Sequence, residues 1–120
     1  MDRTRPTRLL YASAAIDDRV LNPAGEPLGQ IKEFAIDLET GRIAYAVLAF
    51  GGLLGLGRKL FAIPWQALTL DEQRNEFILD VDREMLEDAP GFDRDEWPAT
   101  PDREFIDQVY SHYGYETDRR

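Results

Sequence analysis

The sequence predicts a mainly β domain, a small barrel or sandwich, followed by a C-terminal extension that contains one α-helix. Three observations predict this fold. Short apolar runs between residues 30 and 81 show the two-residue alternation of β-strands. Proline, glycine and asparagine residues that favour turns separate those runs. The last apolar pattern, between residues 101 and 113, recurs every three to four residues, which is typical of an amphipathic helix.

The N-terminal part carries few strand signals before residue 19. We expect residues 1–7 to form a disordered tail, and residues 8–12 to form a short first strand or an extended lead-in. Residues 22–27 contain two prolines, a glycine and an asparagine, a composition that favours a turn. This turn separates residues 19–21 from the next strand.

Residues 30–38 predict a half-buried strand that leads into a hairpin. The alternation places Phe34, Ile36 and Leu38 on one face of the strand, and Ile31, Glu33, Ala35 and Asp37 on the other. The sequence Glu39-Thr40-Gly41 then predicts a tight turn, because Gly41 can adopt a positive φ at little steric cost.

The next strand, over residues 42–50, is apolar on both faces. Tyr45 and Val47 belong to one face, and Leu48 and Phe50 belong to the other. A strand of this kind is covered on both sides. One cover is expected to be the barrel core, and the other a helix, a loop or a second subunit.

Two further strands complete the predicted barrel. Residues 59–63 form a strand that ends at Pro64, because proline cannot donate a hydrogen bond to a neighbouring strand. Residues 66–70 form a short turn or strand. Residues 75–81 alternate apolar and polar side chains as a strand does, and Asp82 can then cap a helical turn.

The extension carries the signals of a helix at about residues 101–113. Thr100 is the predicted N-cap, Pro101 occupies the first helical position, and Gly114 ends the helix. Because a helix of about 13 residues is marginal alone in water, its apolar stripe is expected to dock on the barrel or on a neighbouring subunit.

Four short motifs occur in the order of a known family. They are Gly25-Glu26-Pro27-Leu28-Gly29-Gln30-Ile31, Ile36-Asp37-Leu38-Glu39-Thr40-Gly41-Arg42, Ile63-Pro64-Trp65-Gln66-Ala67-Leu68 and Glu84-Met85-Leu86 before Ala89-Pro90. Their order resembles the PRC-barrel domain, a small six-stranded β-barrel known from the photosynthetic reaction-centre H subunit and from a ribosome maturation factor. The resemblance implies a PRC-type barrel over residues 8–90 and an acidic extension over residues 91–120.

The resemblance also implies an interaction module rather than an enzyme. The family shares no active site, so no catalytic residue, cofactor or metal carries over, and the stand-alone bacterial members that this chain resembles are of undefined function, some suspected in stress responses. We therefore expect a non-enzymatic protein–protein interaction or assembly module that self-associates, as a dimer. The alternative is an accessory factor in ribosome or RNA–protein assembly that binds a basic protein partner.

Charge and composition exclude several other classes. Residues 1–70 carry eight basic and seven acidic side chains, whereas residues 71–120 carry six basic and sixteen acidic ones. An acidic surface of this kind repels phosphates, so direct binding of nucleic acid is not expected. No apolar stretch reaches the about 20 residues of a membrane-spanning helix, so no membrane insertion is expected. With no cysteine and no signal-peptide pattern, the sequence predicts a cytoplasmic protein.

Three motifs with possible chemistry fail on inspection. Gly52 and Gly57 have the spacing of a phosphate-binding loop, but the Lys-Ser/Thr pair and the following helix of such loops are missing. Ser111 and His112 are neighbours, so on a helix their side chains diverge by about 100° and cannot pair as nucleophile and base. A calcium loop starting at Asp93 would need a ligand and a glycine where tryptophan and proline stand.

One surface remains as the candidate for interaction. The glycine-rich loop of residues 51–57 contains three leucines, which either fold over the end of the barrel or form an exposed patch typical of partner surfaces. Trp65 either packs under the barrel or lines an interface. The candidate interaction surface comprises Tyr45, Val47, Phe50, Leu53, Leu54, Leu56 and Trp65.

Overall fold

The computed structural model describes residues 8–50, 59–87, 91–93 and 103–115, and it confirms a mainly β fold with a C-terminal helix. The strands are β1 (Arg19–Leu21), β2 (Pro27–Ile36), β3 (Ile43–Phe50), β4 (Lys59–Pro64), β5 (Leu68–Asp71), β6 (Glu76–Leu79) and β7 (Gly91–Asp93). The helices are α1 (Ala12–Ala15), α2 (Arg83–Glu87) and α3 (Arg103–His112), with a 3₁₀ turn at Trp65–Ala67.

These strands form a single curled sheet in the order β5-β6-β1-β2-β3-β4-β7. Neighbouring strands are antiparallel except for β1 and β6, which pair in parallel. Six of the strands lie in the segment predicted to be the barrel. The seventh, β7, comes from the extension and pairs with β4 at the edge of the sheet. The sheet is a curled half-barrel, and β5 and β7 are the two end strands of its order.

The first predicted strand is wrong in part. Residues 8–11 form no strand, and the backbone of Tyr11 is extended, which agrees with the lead-in alternative; α1 then begins at Ala12, the last residue of the predicted segment. Three of the four residues of α1 are alanine, which has the highest helix propensity. Ala15, the last of them, is fully buried against the core.

The alternation predicted for β2 is interrupted by an irregularity in strand pairing. Ile31 pairs with Leu48, but the register shifts before Glu33 pairs with Val47, so Lys32 is the extra residue of a bulge. An extra residue reverses the alternation, which places Ile31 on the same face as Phe34 rather than opposite it. Ile31 is consequently fully buried in the core.

The backbone at this bulge is held by the preceding loop. The Asp17 N–H donates to the Ile31 carbonyl at 2.7 Å, and the Ile31 N–H donates to the Asp18 carbonyl at 3.0 Å. The Asp17 carboxylate also accepts a bond of 2.6 Å from the Lys32 ammonium group. The adjacent aspartates therefore form the turn that holds the bulge of β2.

The turns predicted at residues 22–27 and 39–41 are confirmed. Asn22 and Glu26 close the first turn through bonds between their side chains and backbones, which accounts for the burial of Asn22. In the second, Asp37 accepts bonds from the backbone of the turn, and Gly41 has a φ of 75°. Leu38 stands at the tip of this turn and is 95% exposed, because β2 has already ended at Ile36.

The core on the inner face of the sheet is built around aromatic rings. Trp65 packs edge-on against Phe34 and Phe77, with ring centroids 5.7 Å and 6.1 Å away. The Phe50 and Phe61 rings make a similar contact at 5.7 Å. The predicted alternation over residues 75–81 is confirmed in β6, where Phe77 and Leu79 are fully buried.

The second apolar face of β3 is covered by α3. All residues from Tyr45 to Phe50 are buried, as predicted for a strand covered twice. Tyr45 packs edge-on against Phe105 of α3 at a centroid distance of 6.0 Å, and the Tyr110 hydroxyl donates to the Ala44 carbonyl. The helix therefore supplies the cover that the sequence left open between a helix, a loop and a second subunit.

Both ends of α3 were predicted within two residues. The helix ends at His112, where the Tyr115 N–H donates to the Tyr110 carbonyl at 2.9 Å and the Gly114 N–H donates to the Ser111 carbonyl at 3.1 Å. Gly114 has a φ of 79°, which is the left-handed conformation. A helix that ends with two such backbone hydrogen bonds requires this conformation at the residue where the chain turns away. The predicted N-cap Thr100 and Pro101 lie outside the described residues.

Candidate functional site

The structure describes four residues of the predicted interaction surface, and three of them are buried. Tyr45, Val47 and Phe50 are buried in the core of the chain itself, at 3%, 0% and 8% exposure. Tyr45 is covered by α3, and Phe50 packs on Phe61 of the neighbouring strand. These three side chains therefore form no exposed surface. Leu53, Leu54 and Leu56 lie outside the described residues.

Trp65, the remaining predicted residue, occupies a half-buried position between two clefts. It follows Pro64, where β4 ends, and the 3₁₀ turn brings its ring over the inner face of the sheet. We call the two concavities the helix cleft and the edge cleft. Trp65 lines both of them, while its contacts with Phe34 and Phe77 show that it packs under the sheet, which is one of the two alternatives predicted.

The helix cleft has a volume of about 310 Å³ and lies between α3, the β2–β3 turn and the 3₁₀ turn. Its charged lining residues are Asp37 and Arg42 from the turn and Arg103 from the start of α3. The Arg103 guanidinium and the Asp37 carboxylate are 3.9 Å apart. This distance makes an ion pair but exceeds the length of a hydrogen bond.

The inner wall of the helix cleft is fixed by a short chain of hydrogen bonds. The Tyr110 hydroxyl donates to the Ala44 carbonyl and accepts a bond from the Gln66 side chain. Burial raises the pKa of the Tyr110 hydroxyl, and the bond from Gln66 opposes that shift in part. This arrangement joins α3, β3 and the 3₁₀ turn at one point of the cleft lining.

The edge cleft, of about 230 Å³, lies on the other side of Trp65. It is lined by the N-terminal segment and by residues of β5 and β6, namely Arg8, Leu9, Leu10, Leu68, Leu70, Glu72 and Phe77. An ion pair between Arg8 and Glu72 ties the N-terminal segment to the turn that follows β5. Beside this cleft, Leu9 and Tyr11 are 83% and 79% exposed.

His112 has a structural position between two helices. Its Nε2 atom lies 3.0 Å from the Met85 carbonyl oxygen and donates to it, which links α3 to α2. Ser111 beside it is exposed. Among the described residues, no group of three or more histidine, aspartate and glutamate side chains is arranged to hold a metal ion.

Sequence reasoning missed the helix cleft because its residues are far apart in the chain. Tyr110 was recognised only as part of an apolar stripe, and no pattern linked Arg103 to Asp37. The signal in the sequence was Tyr110 itself. A tyrosine in an apolar stripe is expected to be buried, and a buried tyrosine hydroxyl usually finds a hydrogen-bond partner.

Tyr113, at the end of α3, is an exception to this expectation. Its hydroxyl is buried and has no hydrogen-bond partner among the described residues. Burial also raises the pKa of the hydroxyl above its ordinary value of 10.0. The hydroxyl therefore weakens the docking of α3, and the phenolate form would weaken it further.

We expect Tyr113→Phe to raise the free energy of unfolding by about 1 kcal/mol at neutral pH, because it removes an unpaired hydroxyl from the interior. Since the pKa of Tyr113 is higher in the folded state, the unfolded chain ionises first. The stability of the natural chain therefore falls as the pH rises above 10.0 towards the folded pKa, and the variant loses less. Urea denaturation at several alkaline pH values measures the difference. Tyr11→Phe, at an exposed position, is the control and should follow the natural chain.

Comparison with known families agrees with the architecture. The family model for the PRC-barrel domain matches residues 8–86, which include β1 to β6 and most of α2. The chain therefore belongs to the PRC-barrel domain family. No curated protein matches the sequence. The described part of the chain contains no helix that is long and apolar enough to cross a membrane.

Proposed function

We propose that this PRC-barrel protein is a non-enzymatic, cytoplasmic interaction module that self-associates through the surface around Trp65. The observation that supports the proposal is the exposure of large apolar side chains on both sides of this residue. Leu9 lines the edge cleft, Tyr11 follows it in the same N-terminal segment, and Leu38 stands on the β2–β3 turn that borders the helix cleft. Contiguous exposed apolar side chains mark partner surfaces, so the proposal requires these three side chains to act together in one contact.

The strand β3 is no longer the favoured contact, because α3 already covers its outer face. Two surfaces remain for self-association. One is the surface around Trp65, and the other is the leucine loop of residues 51–57 predicted from the sequence. The first is favoured here because the structure describes its side chains and leaves them exposed.

The experiment compares oligomeric states by size-exclusion chromatography with light scattering at micromolar concentration. We expect the natural chain to be a dimer, and Leu38→Asp and Tyr11→Asp to be monomers, because a charge in an apolar contact is left desolvated. Gln73→Asp adds the same charge at an exposed turn position and should leave the dimer intact.

The outcome also distinguishes the two surfaces. If only Leu54→Asp produces a monomer, self-association runs through the loop rather than through the surface around Trp65. A natural chain that is monomeric throughout the micromolar range would contradict self-association itself.

A further inference from the structure

We propose that α3 is a reversible cover: it leaves the outer face of the sheet while the sheet itself stays folded. Because α3 also forms one wall of the helix cleft, its opening breaks up the surface around Trp65. The proposal deepens the proposed function by naming a control on that surface, and in this respect it rests on self-association. The opening of α3 itself depends only on how the helix is held to the sheet.

The sheet has two separate apolar faces, and α3 covers one of them. Residues that pair directly across neighbouring strands point to the same face. Ala46 pairs with Phe34, so it lies on the inner face, where the Phe34 ring packs on Trp65. Tyr45 is its neighbour along β3 and points to the outer face, where it packs on Phe105 of α3. Opening of the helix therefore leaves the aromatic contacts of the inner face in place.

The attachment of α3 to the outer face is limited. Two of the ten residues of the helix, Val109 and Tyr110, are buried, and Tyr113 just beyond its end is buried as well. The Tyr113 hydroxyl has no hydrogen-bond partner among the described residues, so docking costs the bond that this group makes to water. At the start of the helix, the Arg103 and Asp37 side chains are 3.9 Å apart, which exceeds the length of a hydrogen bond.

Two hydrogen bonds oppose the opening of α3. The Tyr110 hydroxyl donates to the Ala44 carbonyl, and His112 donates to the Met85 carbonyl. Both donors are side chains of the helix, so both bonds are exchanged for bonds to water when the helix leaves, and the backbone pairing of the strands is kept. Elements with fewer buried contacts than the core open locally before the whole domain unfolds.

Opening of α3 removes one wall of the helix cleft. Arg103, Ile106 and Tyr110 line this cleft from α3, and the β2–β3 turn that carries Leu38 lines it from the other side. A partner that needs both walls binds only the fraction of molecules in which α3 is docked. Self-association through the surface around Trp65 should therefore stabilise the docked helix, and a helix that is held open should weaken self-association.

Amide hydrogen exchange of the full chain, followed by NMR, tests whether α3 opens by itself. A free helix of this length is marginal in water, so its amides exchange once it leaves the sheet. We expect the Val109 and Tyr110 amides to exchange at least about tenfold faster than the amides of β3, after correction for intrinsic rates. Phe77→Leu weakens the inner core and should speed exchange in β3 about tenfold without changing exchange in α3. Ile36→Val, at an exposed position, is the control and should change neither rate.

The exchange is measured in the natural chain and in Leu38→Asp, because a second copy bound to the surface around Trp65 would slow the opening of α3. The proposal is overturned if α3 and β3 share one opening constant and Phe77→Leu raises the exchange rates of both by the same factor. That result would mean that the helix and the sheet unfold only together.

A charge placed under the helix tests the link to self-association. Val109→Asp should hold α3 open, because docking would desolvate the new carboxylate. The amide signals of the sheet should stay dispersed, and the dimer should bind at least about tenfold more weakly. Gln108→Asp adds the same charge on the exposed side of the same helix, so it is the matched control and should keep α3 docked and the dimer intact.

Two results of the Val109→Asp experiment would contradict the proposal. One is the loss of the dispersed sheet signals together with those of the helix. The other is a dimer of unchanged affinity although the exchange rates show that α3 is open. If the natural chain is monomeric, self-association fails, and the exchange experiment still decides whether α3 opens separately from the sheet.

Discussion

Replacing Phe77 by alanine is expected to lower the free energy of unfolding by about 3 to 5 kcal/mol, the usual cost of truncating a fully buried aromatic side chain. Phe77 has no exposed surface, and its ring packs on Trp65 at a centroid distance of 6.1 Å. Its strand β6 is also the parallel partner of β1. The substitution would therefore leave a cavity beside the pairing of β1 with β6, which joins the early and late strands of the predicted barrel segment.

Urea denaturation measures this loss through the midpoint and the slope of the transition. Ile36→Ala is the control: it also shortens a large apolar side chain, but Ile36 is 58% exposed and should change stability by less than about 1 kcal/mol. A loss at Phe77 no larger than the loss at Ile36 would mean that the inner face of the sheet is not the core of this domain.

The second large effect is expected at Gly29. A Cβ atom built on Gly29 would lie 1.9 Å from the Ala49 carbonyl oxygen and 3.1 Å from a methyl carbon of Leu48. The first of these atoms belongs to the backbone of β3, so it cannot move without disturbing the pairing of β2 with β3. We expect Gly29→Ala to cost about 3 kcal/mol or more, the upper part of the range for overpacking.

Gly25→Ala separates steric crowding from the general cost of replacing glycine. Gly25 has a φ of 86°, but no atom lies within 4 Å of the position of its Cβ. Its substitution should therefore cost only about 1 kcal/mol, which is the penalty of a left-handed backbone conformation. Thermal unfolding of the two variants side by side measures the difference, and equal losses would contradict the close approach of β2 and β3 at Gly29.

Phe77 and Gly29 also differ in how far the sequence predicts their surroundings in the fold. Phe77 was predicted to lie on one face of an alternating strand, and the structure buries it completely. Gly29 belonged to a family motif, but nothing in the sequence showed which atom approaches it. Burial follows from local periodicity, whereas a close approach depends on a neighbouring strand about 20 residues later in the chain.

The bulge in β2 shows where the alternation of apolar and polar residues fails to predict the face on which a side chain lies. The apolar residues Ile31, Phe34 and Ile36 fit either a regular strand or a bulged one, because an inserted residue changes the facing of a side chain and not its identity. In the structure, the strand is bulged. Hydrogen bonds between the backbone of Ile31 and the backbones of Asp17 and Asp18 hold Ile31 at the bulge. Those bonds have no signature in the sequence of β2.

The sequence by itself determined the mainly β class, the turns, the two-sided cover of β3 and the C-terminal helix, since each follows from local composition or periodicity. Only the tertiary structure decided that the chain's own helix α3 supplies that cover, because the contact of Tyr45 with Phe105 joins residues 60 positions apart. The same folding buries most of the predicted surface of β3. It leaves Trp65 in the lining of both clefts, in the surface through which self-association is proposed.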